Sequence, residues 1–272
     1  MNKAGADFNA KALWDNLAAL RAKAPLVHNI TNYVVMNSTA NGLLALGASP
    51  LMAHAPEELE DMVAIAGALV INMGTLSAPW VESMRLAQGL ALKRGIPVVF
   101  DPVGAGASRY RTSTARDLLH SGPPTVIRGN ASEIMALAAG SGATKGVDST
   151  DAAESALDAA RALAAQNHCV VVISGATDYI VQAGRVAYVQ NGHPLMAKVT
   201  GMGCLSTTYV AAFAATLADP FEAGVSAMAV MGITGELAAQ HCAGPGSFWS
   251  GFLDQVYGLD AAACSRLKAG TQ

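Results

Sequence analysis

The chain has 272 residues, of which 52% are hydrophobic and 14% charged, against a usual charged share of about 25%. Net charge is −3, with no basic block and no aromatic–basic interleaving, which argues against a nucleic-acid partner. No apolar run reaches the roughly 18–20 residues a membrane-spanning helix needs.

The N-terminal stretch MNKAGADFNAKALWDNLAALRAK has charges at helical spacing and no signal-peptide core, so an amphipathic helix of a cytoplasmic protein is expected. From there short apolar runs alternate with helical patterns. APLVHNI (24–30) reads as a strand and YVVMNSTANGLLALG (33–47) as a helix closed by Gly47. SPLMAH (49–54) is a short strand. PEELEDMVAIAGA (56–68) opens with proline and acids, as helix N-termini do. LVINMG (69–74) is a strand, and 77–95 is a helix with Ser77 as N-cap. IPVVFDPVG (96–104) and PTVIRGN (124–130) are strands, 151–167 an amphipathic helix and CVVVISG (169–175) a strand. A hairpin turning at Ala183-Gly184 is expected at a sheet edge, with helices only after it, over 203–218, 221–240 and about 245–259. The loop 138–150 is the weakest stretch. This alternation predicts one α/β domain over 1–272, a mostly parallel sheet with helices on both faces. So few charges on a globule of this size predict a homo-oligomer.

Ligands of open parallel sheets bind beyond the carboxyl ends of the strands. The polar residues there are His28, Asn29, Asn32, Met52, His54, Asn72, Asp101, Arg128, Asn130, Glu133, Ser174 and Thr177. Asp101 and Glu133 suit a water-bridged Mg²⁺. Asn130 and Glu133 are equally spaced as a capping box, which needs no metal, and Asp101 equally suits a turn before Pro102. Arg128 ends an apolar strand and needs an anion, either a phosphate or a neighbouring acid. Ser174 suits a phosphate oxygen or a plain turn. Met52 alone reads as a core gap-filler. The histidines lack metal spacing. Cys169, Cys204, Cys242 and Cys264 lie too far apart for zinc or a disulfide framework.

VTGMGCLSTTYVAAF (199–213) is a glycine turn opening onto a helix. Gly201 and Gly203 leave backbone N–H groups free to approach an anion, and the helix N-terminus adds about half a positive charge. G-x-G alone is a weak signal that also marks close helix–strand packing. Cys204 falls in the first turn, where helix dipole and phosphates would push the thiol in opposite directions.

TGMGC stands where ribokinase-like kinases carry a glycine-rich anion hole that ends in aspartate, and NASE (130–133) matches their Asn-x-x-Glu magnesium motif. HNITNYVVMN, GASPLMAH, LVINMGTL, DPVGAGASRYR, IRGNASEI and TGMGCLST together resemble the hydroxyethylthiazole kinases, over about residues 24–215. The resemblance implies a ribokinase-like α/β fold without a lid, and homotrimers with active sites between subunits. It implies phosphorylation by ATP of the hydroxyl of 4-methyl-5-(2-hydroxyethyl)thiazole, in thiamine salvage. By resemblance, Met52 and Gly201 contact the thiazole alcohol and Asn29 lines its pocket. Arg128 and Ser174 contact ATP, and Asp101 and Glu133 serve Mg²⁺. The anion hole comprises Gly201, Met202, Gly203 and Cys204, with Cys204 beside the acceptor hydroxyl as weak base or orienting group. Competing readings are a hydroxymethylpyrimidine kinase, an ATP-dependent hydrate dehydratase, a thiol enzyme pairing Cys204 with His28 or His193, and a nucleotide-binding protein without turnover.

Overall fold

The computed structural model describes residues 8–139 and 152–271. In chain order the elements are α1 (Ala10–Lys23), β1 (Leu26–Ile30), α2 (Met36–Leu46), β2 (Ser49–Met52), α3 (Leu59–Ile65), β3 (Ala68–Asn72), α4 (Ala78–Arg94) and β4 (Val98–Asp101). There follow α5 (Arg109–Ser121), β5 (Val126–Asn130), α6 (Ala131–Ala138), α7 (Ala152–Asn167), β6 (Val170–Ser174), β7 (Asp178–Gln182) and β8 (Arg185–Val189). The chain ends with α8 (Met202–Ala214), α9 (Pro220–Ala239), α10 (Pro245–Tyr257), α11 (Ala261–Cys264) and β9 (Ala269–Thr271). Short 3-10 turns at Pro56–Glu58 and Pro194–Lys198 complete it.

The nine strands among the described residues form one sheet in the order β2-β1-β3-β4-β5-β6-β7-β8-β9. Pairs from β2 to β6 are parallel and those from β6 to β9 antiparallel. Period-two alternation sorts the strand side chains. Val70, Val99, Val126 and Val172 join a core with α1, α2, α8, α9 and α10. Ile71, Phe100, Ile127 and Ile173 join a second core with α3, α4, α6 and α7. Burial on both faces explains why the parallel strands read as continuous apolar runs.

Two expectations are corrected. The segment after the hairpin is not helical throughout, because β9 returns to the sheet and pairs with β8 through Ala187, Tyr188 and Val189. The hairpin therefore does not form the sheet edge. A three-residue Ala-Gly-Thr strand has no apolar pattern to announce it; its pairing depends on where α11 delivers the chain. Helix α5 is likewise unannounced, since its sequence RYRTSTARDLLHS is mostly polar and buries only Thr114, Ala115 and Leu118. The Ala183-Gly184 turn stands as expected, with Gly184 at φ 82°. Of the loop 138–150, residues 140–150 lie outside the described residues.

Candidate active site

The strand ends from β1 to β6 share one rim because those strands run parallel. Helix α8 begins over that rim. Gly201 is its N-cap at φ 87°, a left-handed conformation that suits glycine. A Cβ there would meet Val35 Cγ1 at 2.8 Å. The first α8 hydrogen bond runs from Leu205 N–H to the Gly201 carbonyl, so the N–H groups of Met202, Gly203 and Cys204 have no intrahelical acceptor. They form a positive cradle at the centre of the rim.

On one side of the cradle lies a cavity of about 630 Å³, reached by Arg128, Ser174, Asp178, Gly203 and the apolar side chains of Met228 and Met231. Arg128 turns the Nη1–Nη2 edge of its guanidinium to Gly203, where a Cβ would lie 2.8 Å from Nη1 and 3.2 Å from Nη2. Its Nη2 donates to Ser174 Oγ, and its Nη1 stands 3.9 Å from Asp101 Oδ2. The guanidinium thus has one acid at a distance and an anion cradle beside it. Asp178 is 7% exposed. Burial pushes its carboxyl up to about 7, against the pull of the Gly175 N–H and of Arg128.

On the other side is a chain of polar side chains. Asn32 Nδ2 donates to Asn72 Oδ1 at 2.8 Å and reaches Cys204 Sγ at 3.7 Å. Asn72 Nδ2 donates to Asp101 Oδ2 at 2.8 Å, and Thr207 Oγ1 donates to the same oxygen at 2.7 Å. Asn72 Oδ1 also accepts from Gly74 N–H. Asn32, Asn72, Asp101 and Thr207 are all buried, so this network fixes side-chain orientations firmly. Burial pushes Asp101 up to about 6, with Arg128 and the Thr207 hydroxyl pulling it down. Burial, then the Asp101 charge, pushes the Cys204 thiol up to about 11. At neutral pH Cys204 is a neutral thiol, a poor nucleophile. Its bonded neighbour is an asparagine. His28 Nε2 instead bonds the Ala53 carbonyl, and His193 caps the 3-10 turn at Pro194–Lys198.

The expected metal residues differ in availability. Asp101 Oδ1 is buried and has no partner. Glu133 is held on both oxygens: Oε1 accepts from Gly104 N–H at 2.8 Å and Oε2 from Asn130 N–H at 2.9 Å, while Asn130 caps Glu133 N–H. It forms the capping box that the spacing allowed. Among the described residues no group of three or more His, Cys, Asp or Glu side chains could hold a metal. Met52 ends β2 half-buried, paired in register with Asn29. Asn29 turns back to donate to the Val27 carbonyl at 2.8 Å. Tyr33, His54 and Trp80 cluster at this rim, the Trp80 ring centroid lying 4.8 Å from that of Tyr33 and 4.5 Å from that of His54.

A two-sided site around a helix N-terminus fits a phosphotransferase, and the relatives agree. Residues 17–262 match the hydroxyethylthiazole kinase family. The chain belongs to the hydroxyethylthiazole kinase family. A hydroxyethylthiazole kinase of Nitratidesulfovibrio vulgaris is 56% identical over 250 residues, 92% of this chain and 94% of that one. The Leptospira biflexa hydroxyethylthiazole kinase is 56% identical over 247 residues, 91% and 92% of the two chains. The solved hydroxyethylthiazole kinase of Pyrococcus horikoshii superposes with a TM-score of 0.90 at 41% identity, covering 96% of this chain and 99% of its own. A ribokinase-like protein of Enterococcus faecalis, 14% identical, shares the fold with a TM-score of 0.64 over 96% and 93% of the chains.

Sequence reasoning places Asn32 and Asn72 at strand ends without a role and misses Thr207, Asp178 and the cavity methionines. Thr207 is within its reach: it stands four residues after Gly203, one helical turn along the same face. Asp178 opens a hairpin strand, and nothing local in its sequence ties it to Ser174.

Proposed function

We propose that the protein transfers the γ-phosphoryl group of ATP to the hydroxyl of 4-methyl-5-(2-hydroxyethyl)thiazole. The observation that carries this reading is the α8 N-terminus, whose free N–H groups adjoin both the Arg128–Ser174 cavity, which Gly201, Met202 and Gly203 line, and the Cys204–Asn32 network. ATP occupies the first and the thiazole alcohol the second. Such transfers pass through loose transition states, so positioning and charge stabilisation dominate. The N–H groups of Met202, Gly203 and Cys204 receive the moving phosphoryl oxygens; loss of one comparable donor typically costs about 10²–10³ in rate. Arg128, held by Ser174, neutralises phosphate charge. Cys204, a neutral thiol, orients the acceptor hydroxyl rather than removing its proton.

Asp101 fits Mg²⁺ through its unpartnered Oδ1. Glu133, each of whose oxygens accepts one backbone N–H bond, serves the ion through water or through its charge. When bound, Mg²⁺ neutralises and orients the phosphates. Met52 and the aromatic rings of Tyr33, His54 and Trp80 border the acceptor half of the rim. Tyr33 and Val34 are 66% and 60% exposed there, which suits a subunit interface that closes the acceptor site, as in the homotrimer the family resemblance implies. Among the described residues no helix is long and apolar enough to cross a membrane.

ADP release with and without the thiazole alcohol, in Mg²⁺, tests the activity. Strong stimulation by the alcohol is expected, and none overturns the reading. Cys204→Ala is expected to keep part of the rate. Its complete inactivation, together with a trapped thiol adduct in the unmodified protein, would require covalent chemistry.

A further inference from the structure

The order of polar groups along the rim extends beyond Arg128 and Ser174. Strands β4, β5, β6 and β7 are successive neighbours. Each contributes one charged or hydroxyl group at the same end of the sheet: Asp101, Arg128, Ser174 and Asp178. Because β7 runs antiparallel to β6, its first residue lies beside the last residue of β6. Asp178 therefore stands one strand, about 4.8 Å, past Ser174. β8 follows, and its exit carries Asn191 and His193 into the same cavity. Helix α9 approaches this end so closely that a side chain on Gly232 would strike the Asn191 backbone. That approach sets Met228 and Met231 in the cavity wall. Met196 packs on Gly235 of the same helix and completes the apolar end.

The cavity thus runs from one cation and neighbouring hydroxyls, past one buried carboxylate, to a methionine-lined end. One oxygen of that carboxylate, Oδ1, accepts from Gly175 N–H at 2.9 Å. No described residue donates to Oδ2, and the side chain lines the cavity. An ionised carboxylate only accepts hydrogen bonds. It repels phosphate and attracts a donor.

Resting on the reading of this cavity as the ATP site, we propose that Asp178 is a specificity residue that accepts a hydrogen bond from a ribose hydroxyl of the nucleotide. Phosphates at Arg128 and Ser174 place the pentose one strand further on, at Asp178, and the base against the methionines. The remaining donors of a nucleotide lie on its base, beyond this position. The protein is therefore a ribonucleotide user that discriminates against a deoxy sugar.

Calorimetric titration of the full-length protein with ATP, 2′-deoxy-ATP and 3′-deoxy-ATP tests this directly, in Mg²⁺, without acceptor alcohol and at about pH 8.5, where the carboxylate is ionised. At least one deoxy analogue is expected to bind about 10- to 100-fold more weakly than ATP, the usual worth of a hydrogen bond to a charged group. Asp178→Asn can keep the Gly175 N–H bond through its amide oxygen while replacing the second oxygen by a donor. It is expected to weaken ATP and to bring all three ligands within about twofold of one another. Equal binding of the three by the unmodified protein overturns the proposal, as does an Asn variant that still discriminates. ATP binding without sugar preference sinks this inference alone, whereas absence of any ATP binding sinks the kinase reading with it.

Discussion

Replacing Gly203 by alanine separates stability from catalysis. Gly203 is the second residue of α8 and is not among the positive-φ glycines, so its backbone accepts an L side chain. Alanine for glycine in a helix is worth up to about 1 kcal/mol of stability. The new Cβ, however, would stand 2.8 Å from Arg128 Nη1 and 3.2 Å from Nη2. An unstrained contact needs about 3.5 Å, so the guanidinium must retreat by roughly 0.7 Å. Arg128 is only 8% exposed and is held by Ser174, so the retreat breaks its geometry toward the phosphates. A hydrogen bond to a charged group is worth about 1.5–3 kcal/mol, or about 10- to 150-fold in rate. The added methyl also fills part of the N–H cradle. Thermal melts are expected to show an unchanged or raised Tm, while ADP-release assays show kcat/KM for ATP down by at least about tenfold. Gly89→Ala is the control: Gly89 is exposed in α4, and a methyl group there would have nothing within 4 Å, so Tm should rise slightly and activity stay level. A Gly203→Ala enzyme within twofold of the parent would refute both the cradle and the role of Arg128.

Three further outcomes follow from the same geometry. Gly201→Ala meets a left-handed φ and a buried Val35, so both Tm and rate should fall, the backbone term alone costing about 1–2 kcal/mol; an alanine variant with the parent's Tm contradicts the cap geometry. Cys204, raised from 9.0 to about 11, should alkylate roughly 100-fold more slowly than an ordinary thiol at neutral pH. Its rate, followed by peptide mass spectrometry, should climb tenfold per unit to about pH 10, and a plateau below about pH 8 would rule out the neutral thiol. Native Asp178 keeps its proton to about pH 7, against an ordinary value of 3.8. The folded state then holds more protons across that window and loses stability as pH rises through it. Asp178→Asn removes that loss, so its stability relative to the parent should grow from about pH 4 to 7, by at most about 4 kcal/mol, in urea melts at stepped pH. A difference independent of pH would contradict it.

Much of this protein is local in origin. Continuous β-branched runs such as Val170–Ile173 suit only a strand buried on both faces, and the sequence supplies them at regular intervals between helices. The Ala183-Gly184 turn depends on residues within a few positions of each other, so its spacing specified it, whereas the Asn130–Glu133 spacing allowed a capping box without choosing it. The choice between alternatives was not local. Whether Glu133 faces a metal or a backbone N–H depended on Gly104, nearly thirty residues earlier, being delivered beside it. The ionisation of Cys204 depended on burial and on Asp101, brought across from β4. The short β9 strand, the asparagine pair at Cys204 and the place of Asp178 next to Ser174 all arise from strand order. A sequence specifies periodicities and caps through neighbours along the chain; which strand ends meet on one rim is decided only when the sheet assembles.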